Sequence, residues 1–232
     1  MKQLLIVCNG GSLRNFDFKA IDRDKYDIMI LGLAFRYFRK HKLDYDYYCG
    51  VDAVVSKSSE WEICREMKQK NIKCLLTNKC QWSNESIKIM RKNMGKVGFI
   101  EDLQKKDDTP FYDTKKWTTG SSAILFGIYL GYKIISLIGL DNDYVNVGQY
   151  RERPDGTREV WKDIKNNPNY FFDEYERCGD VKNKPNNIKN LHVDAIIESV
   201  DIAHREKVKL INYNYKESFK NHIFTYELKE FK

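Results

Sequence analysis

The stretch 115–144 constrains the fold of this chain more than any other. It reads as a polar turn, a buried helix, a short connection, a buried strand and an acidic loop. Thr118 and Thr119 can cap the helix that Gly120 opens, and its apolar residues cover more than one face, as in helices covered by neighbouring elements. The apolar run at 134–138 is short enough for a fully buried parallel strand. This pairing of a buried helix with a buried strand predicts an α/β fold.

Acidic residues follow the ends of two predicted strands. Asp141, Asp143 and Tyr144 come directly after the buried strand of this stretch, and Asp52 ends an earlier strand. Open α/β sheets bind ligands at the carboxyl ends of their strands, so we predict a site that includes Asp141 and Asp52. The alternative for each carboxylate is a purely structural role as a cap of the following turn.

Strand and helix patterns alternate along most of the chain, which predicts a mostly parallel, Rossmann-like sheet with helices on both faces. The strands are predicted at 4–8, 26–33, 44–52, 72–77, 97–100, 134–138 and 208–213, and the other helices at 34–42, 56–70, 83–94 and 194–205. The pattern breaks at 145–190, which is too long for an ordinary connection and predicts a lid or binding element, with one short helix around 170–178. We expect a single domain over 1–232 that contains this segment.

The first predicted strand leads into a glycine-rich turn, Asn9-Gly10-Gly11-Ser12. Such a turn predicts backbone N–H groups that are free to approach an anion. The motif is not GxGxxG and no acidic residue follows at the right distance, so a dinucleotide cofactor is disfavoured. A plain β-turn is the alternative.

The composition limits the class of partner without choosing one. The chain has 232 residues and a formal net charge of +7, which suits a phosphate-bearing substrate, an anionic membrane surface or nucleic acid. Because acidic residues are interspersed among the lysines and no nucleic-acid motif is present, we predict no nucleic-acid partner. The six cysteines form no CxxC pair and no zinc-like cluster, and the apolar run near residue 1 is too short for a signal peptide or membrane span. These features predict a cytoplasmic protein.

One histidine stands out among the four in the sequence. His192 follows the long irregular segment and immediately precedes the predicted helix at 194–205. A histidine in such a place can act as a general base near neutral pH, and the alternative is a capping or packing role. No GxSxG, HExxH or Walker motif accompanies it.

Two motifs carry a resemblance to a known family. The turn CNGGSL at 8–13 stands where that family has a strand and Gly-Asn-Gly-Pro-Ser-Leu, and KWTTG at 116–120 matches its Arg-Ile-Thr-Ser-Gly. The match continues through the helix to IGLD at 138–141, against the family's Gly-Ile-Asp. On these residues the chain resembles the bacterial sialyltransferases of glycosyltransferase family 42.

The resemblance implies roles for three residues. The family places two tyrosines six residues apart after its aspartate, and they hold the phosphate of the departing CMP; here Tyr144 and Tyr150 have that separation. Its catalytic histidine lies a few residues before the last helix, where this chain has His192. The family's strand-end asparagines are replaced by Gly32 and Gly50, so the donor sugar stays open between sialic acid, Kdo and another acid sugar.

The implied activity is an inverting, metal-independent transfer of an acid sugar from a CMP-activated donor to a glycan hydroxyl, in surface-polysaccharide or lipooligosaccharide synthesis. It implies a GT-A-like variant of the Rossmann fold, a lid at 145–190 and a homo-oligomer. The basic surface would allow peripheral contact with the inner face of the cell membrane. No cofactor is expected, although the string Asp141-Asn142-Asp143 leaves a metal open. Alternatives are another nucleotide-sugar donor and a non-catalytic nucleotide-binding module. The residues expected to bind substrate are Asn9, Gly10, Gly11, Ser12, Gly32, Asp52, Lys116, Thr118, Thr119, Gly120 and Asp141.

Overall fold

The computed structural model describes residues 2–69, 72–76, 82–93, 97–112, 114–142, 144–184, 191–213, 224–225 and 231. Within these residues the strands are β1 (Gln3–Val7), β2 (Tyr26–Leu31), β3 (Tyr47–Gly50), β4 (Lys73–Leu76), β5 (Val97–Phe99), β6 (Ile134–Ile138), β7 (Tyr150–Glu152), β8 (Arg158–Val160), β9 (Val181–Lys182), β10 (Lys209–Asn212) and β11 (Phe224–Thr225). The α-helices are α1 (Phe35–Lys40), α2 (Ala53–Ser58), α3 (Glu60–Gln69), α4 (Asn84–Asn93), α5 (Ile100–Leu103), α6 (Thr119–Tyr129) and α7 (Leu191–Arg205).

Eight strands form one sheet in the order β11-β10-β6-β1-β2-β3-β4-β5, and each neighbouring pair is parallel. The apolar run in β1 explains its central place, because Leu4 to Val7 are fully buried and pair with β2 on one side and β6 on the other. The remaining strands, β7, β8 and β9, form a small antiparallel sheet.

Helices cover both faces of the large sheet. Leu5 and Val7 belong to one apolar core together with residues of α1, α3 and α4. Leu4 and Ile6 point the other way, into a second core with residues of α5, α6 and α7. The α/β class and the mostly parallel, Rossmann-like sheet predicted from the sequence are therefore confirmed.

The strand order reverses beside β1. From β1 the chain proceeds outward through β2, β3, β4 and β5, and then returns to the other side of β1 through β6 and β10. The crevice outside the carboxyl ends of β1 and β6 is the topological switch point, which is where sheets of this kind bind ligands.

Two helix predictions need correction. The helix predicted at 56–70 is two helices, α2 and α3, separated at Ser59, because the Asp52 side chain caps α2 and starts it earlier. The last helix begins at Leu191 rather than near Asp194, so His192 lies in its first turn instead of before it. Asp194 lies in the first turn of this helix, where an acidic residue is favourable.

The helix predicted around 170–178 is wrong. The structure has a single 3-10 turn at Asp173–Tyr175 in that region. Tyr170, Phe171, Phe172 and Tyr175 are instead buried in the core beside α1, as the 5.1 Å separation between the ring centroids of Tyr37 and Phe171 illustrates. Consecutive side chains point to opposite faces of a regular strand and to different faces of a helix, so burying three aromatic residues in a row requires an irregular backbone.

No helix among the described residues is long and apolar enough to cross a membrane.

Candidate functional site

The turn after β1 and the loop after β6 are joined at the switch point. The Ser12 N–H donates to Asp141 Oδ2 at 2.8 Å, and the Ser12 hydroxyl donates to Asp141 Oδ1 at 2.6 Å. Asp141 thus holds the turn after β1 and does not merely cap the turn after its own strand.

Close approach explains both glycines of the turn. A Cβ on Gly10 would lie 2.2 Å from Asp141 Cγ, and one on Gly11 would lie 2.2 Å from the Pro168 carbonyl oxygen. The turn itself is a 3-10 turn over Gly11–Leu13. Glycine is needed here because neighbouring chain segments occupy the space of a side chain.

The sequence predicts that the turn at 9–12 has N–H groups free to bind an anion, and this prediction is wrong for two of them. The Gly10 N–H donates to the Gly139 carbonyl at 3.0 Å, and the Ser12 N–H is already bound to Asp141. A carboxylate beside the turn also repels an anion. The turn at 9–12 therefore has a structural role at the edge of the site, and two of its N–H groups are not available to a phosphate.

The Tyr175 hydroxyl lies at the ends of β1 and β2. Asn9 Nδ2 donates to it at 2.8 Å, and a Cβ on Gly32, whose φ is +51°, would lie 2.6 Å from it. The hydroxyl thus occupies the space that a side chain at Gly32 would need. Sequence reasoning missed Tyr175, which lies far along the chain in the irregular segment.

Two amide groups near the switch point have buried atoms without a partner. Asn9 Oδ1 and Asn142 Nδ2 have no hydrogen-bond partner within the described part of the chain. Asn142 also has a φ of +54°, an uncommon conformation for a non-glycine residue. Since buried polar atoms are normally paired, this acceptor and this donor are suited to a bound polar ligand.

The predicted base and one predicted phosphate ligand lie side by side. The ring centroids of Tyr144 and His192 are 5.4 Å apart, with the rings tilted by 47°. Burial raises the pKa of Tyr144 to about 12, and the nearby charges of Glu176, Asp141 and Asp52 act in the same direction. The Tyr144 side chain is nevertheless 58% exposed, so part of its ring faces solvent.

His192 is an exposed residue whose imidazole is partly covered. This partial burial lowers the pKa of His192 below 6.5, and Asp52 opposes the shift without reversing it. Asp52 itself caps α2 by accepting from the N–H groups of Val54 and Val55, at 3.0 and 3.1 Å. The structural alternative is thus confirmed for Asp52, which nevertheless influences the charge of His192.

Tyr150 belongs to a polar cluster at the edge of the small sheet. Its hydroxyl donates to Glu176 Oε2 at 2.9 Å and accepts from Lys182 Nζ at 2.9 Å. Glu176 is almost fully buried and also accepts from Asn167 and Tyr170. Sequence reasoning missed Glu176 and Lys182, and the run of aromatic residues at 170–175 is the one local signal that the segment is packed.

The predicted residues at 116–120 organise the N-termini of α6 and α7. Thr118 and Ser121 form a reciprocal capping box, and the Thr119 carbonyl accepts from the Cys49 thiol at 3.7 Å. The space beside Gly120 faces Ile196 and Leu140. Lys116 Nζ forms a 2.7 Å ion pair with Asp194 on α7. Substrate contacts by these residues stay a prediction.

Cys8 also lies at the switch point, but it is not poised as a nucleophile. Burial, together with the nearby charge of Asp141, raises the pKa of the Cys8 thiol to about 12. The thiol therefore stays protonated at neutral pH.

Within the described residues no group of three or more histidine, cysteine, aspartate or glutamate side chains could hold a metal ion. Asp143, the second aspartate of the acidic string, lies outside those residues.

Comparison of the chain with protein-family models, with curated proteins and with solved structures gave no match.

Proposed function

We propose that this protein is an inverting, metal-independent glycosyltransferase that moves sialic acid or a related acid sugar from a CMP-activated donor to a glycan hydroxyl. The observation that carries the proposal is the 5.4 Å contact between the rings of Tyr144 and His192. The resemblance assigns the leaving phosphate to this tyrosine and the base to this histidine. Such a transfer needs both groups in one cleft, within reach of the same bound donor and acceptor.

His192 suits the role of general base. A base must be unprotonated before it accepts the proton of the acceptor hydroxyl, and the lowered pKa keeps this imidazole neutral at pH 7. Asp52 is near enough to stabilise the imidazolium that forms when the proton arrives.

Tyr144 suits the role of donor to the leaving phosphate. Because its pKa is raised to about 12, the hydroxyl keeps its proton at physiological pH and can donate a hydrogen bond as negative charge develops on CMP.

The switch point suits the nucleotide. Asn9 Oδ1 could accept a hydrogen bond from the donor and Asn142 Nδ2 could donate one, and both atoms lack a partner in the described part of the structure. The position after β1 and β6 agrees with nucleotide binding in other open α/β sheets. A GT-A-like variant of the fold is part of this proposal.

The segment at 145–190 is proposed to cover the site and exclude water, since hydrolysis competes with transfer. Its buried aromatic residues, from Tyr170 to Tyr175, anchor it to the core. Any closing motion would thus be confined to parts of the segment outside this anchor. We further propose a cytoplasmic homo-oligomer that contacts the inner membrane face, where its glycan acceptor would be assembled.

A screen of donors tests the proposal. We expect the protein to hydrolyse a CMP-sugar slowly, in preference to UDP- and GDP-sugars, and to retain that activity in EDTA. Hydrolysis of UDP- or GDP-sugars alone would overturn the donor class, and complete loss in EDTA would overturn metal independence. Salt-sensitive RNA binding without any preference for CMP would favour a binding module instead.

A variant pair tests the base. His192→Ala should abolish most transfer while CMP still raises the melting temperature. His204→Ala, in the exposed last turn of the same helix, is the matched control and should leave transfer unchanged. Full transfer by His192→Ala would remove this histidine as the base.

A further inference from the structure

The proposed site needs a positive charge that the predicted residues do not supply. The carboxylates of Glu176, Asp141 and Asp52 all act on Tyr144, and a leaving phosphate there would meet their repulsion. The N–H groups of Gly10 and Ser12 are already used within the fold.

Lys182 brings an ammonium to one of the predicted phosphate ligands. Its Nζ donates to the Tyr150 hydroxyl at 2.9 Å and lies 4.1 Å from the centroid of the tyrosine ring. It also forms an ion pair with Glu176. An ammonium has three donors, so two contacts leave one for a further acceptor. The Lys182 side chain is 20% exposed, which leaves it open to a ligand on one side.

Three other cations among the described residues are committed elsewhere, whereas Arg158 lies 5.9 Å from the centroid of the Tyr150 ring. Lys116 is paired with Asp194, and Arg14 binds Asp173 and two backbone carbonyls. Arg36 is buried between Glu62 and Asp180.

The end of β9 also reaches the side of the site that carries the base. Asn183, the next residue, donates from Nδ2 to Asp52 Oδ1 at 3.1 Å. Asp52 acts on both His192 and Tyr144, and Glu176, the partner of Lys182, acts on Tyr144. Lys182 and Asn183 therefore contact, through Glu176 and Asp52, two of the carboxylates whose charges act on Tyr144.

We propose that Lys182 is the cation that binds the leaving phosphate of the donor, and this rests on the proposed function. Without a ligand, Glu176 neutralises its ammonium, and Tyr150 bridges the two. With a donor bound, the ammonium turns its third N–H to the phosphate. As the bond from the sugar carbon to the phosphate oxygen breaks, its electrons pass to CMP, the acceptor oxygen bonds to that carbon, and His192 takes the acceptor proton. Lys182 stabilises the departing charge and transfers no proton.

Calorimetric binding of CMP and of cytidine, which lacks the phosphate, tests the proposal. The wild type should prefer CMP. Lys182→Met should lose roughly ten- to a hundredfold in CMP affinity, as for a charge-assisted hydrogen bond, and keep its cytidine affinity. Lys184→Met is the matched control, because this lysine is exposed and pairs with Glu152 on the surface. It should change neither affinity.

A second variant is expected to change CMP affinity in the opposite direction. Glu176→Gln keeps a hydrogen-bonding side chain but removes the competing carboxylate, so it should strengthen CMP binding. If Lys182→Met unfolds because Glu176 is left buried and unpaired, the double variant Lys182→Met/Glu176→Gln removes both charges and should show the same loss for CMP.

The outcomes separate the two proposals. A wild type that binds CMP no better than cytidine would overturn the proposed function together with the role of Lys182. A wild type that prefers CMP, with the preference unchanged in both Lys182 variants, would overturn only the role of Lys182 and make its pair with Glu176 purely structural.

Discussion

Asp141 accepts two hydrogen bonds from Ser12, one from its backbone and one from its hydroxyl, and so ties the loop after β6 to the turn after β1. The contact fixes the relative position of the two chain segments that border the switch point. Its strength can be measured, because each partner can be changed alone.

A double-mutant cycle of Ser12→Ala and Asp141→Asn should give a coupling free energy of about 1 kcal/mol, since the pair is partly exposed. Urea unfolding of the wild type, both single variants and the double variant measures it. Strict additivity would mean that the pair contributes no stability.

Gly10→Ala should destabilise the fold by about 1–3 kcal/mol, because its methyl group would lie 2.2 Å from Asp141 Cγ and the carboxylate would have to move. Gly98→Ala is the matched control, with its nearest neighbour, Leu75 Cδ1, at 3.5 Å. Chemical denaturation should separate the two variants, and equal stability would show that the turn adjusts freely.

Arg36→Met should cost about 3 kcal/mol, because it leaves Asp180 without its ion-pair partner, while Glu62 keeps its pairs with Arg39 and Arg177. Burial alone would raise the pKa of Glu62, but hydrogen bonds from Arg36 and Arg39 outweigh it and hold that pKa below 4.5. This contribution is therefore present above pH 4.5 and is lost as the pH falls through the folded-state pKa.

As the pH is lowered below 4.5, the urea midpoint of the wild type should accordingly decrease more steeply than that of Arg36→Met. Arg153→Met, which breaks an exposed ion pair with Glu159, is the control and should cost less than about 1 kcal/mol. Parallel pH curves for the wild type and Arg36→Met would contradict this account.

The rate of transfer should fall on acidification only below pH 6.5, because the pKa of His192 is lowered by burial and the base works unprotonated. Asp52→Asn should shift the acid limb of kcat/KM to lower pH still, since Asp52 opposes the lowering. Asparagine caps helices as well as aspartate does, so α2 should stay intact. An acid limb that moves upward would exclude this electrostatic link.

Tyr144→Phe should slow release of CMP by about 10²–10³-fold, the usual cost of one donor to a developing anion. Tyr150→Phe should also slow it, because the hydroxyl that holds Lys182 is lost. Single-turnover release of CMP measures both, and Tyr129→Phe, exposed on α6, is the control. Unchanged release in both variants would place the leaving group elsewhere.

The parts of the structure that follow from local patterns could be predicted. The apolar runs at β1 and β6 identify buried parallel strands, and the parallel topology then brings Ser12 and Asp141 to one edge of the sheet. The capping box at Thr118 is likewise visible in the sequence, because its two partners are three residues apart.

The parts that depend on distant contacts could not be predicted. The Tyr175 side chain fills the space beside Gly32, but the two residues lie far apart in the sequence. Local hydrophobic periodicity therefore does not predict their contact. The N–H groups of Gly10 and Ser12 looked free because their acceptors follow a strand from the second half of the chain. The proposed role of Lys182 depends on its contacts with Glu176 and Tyr150, and no sequence pattern predicts those contacts.

The central position of β1 has a consequence for how the chain reaches its fold. Its partner β2 emerges from the ribosome soon after it, but four strands, β2 to β5, and six α-helices, α1 to α6, separate β1 from β6 in the described chain. Until then the fully apolar residues Leu4 to Val7 present an unpaired strand edge, the kind of surface that templates aggregation. Fragments that end before β6 should thus require chaperones, and pairing between β1 and β6 should be a late, slow event in folding.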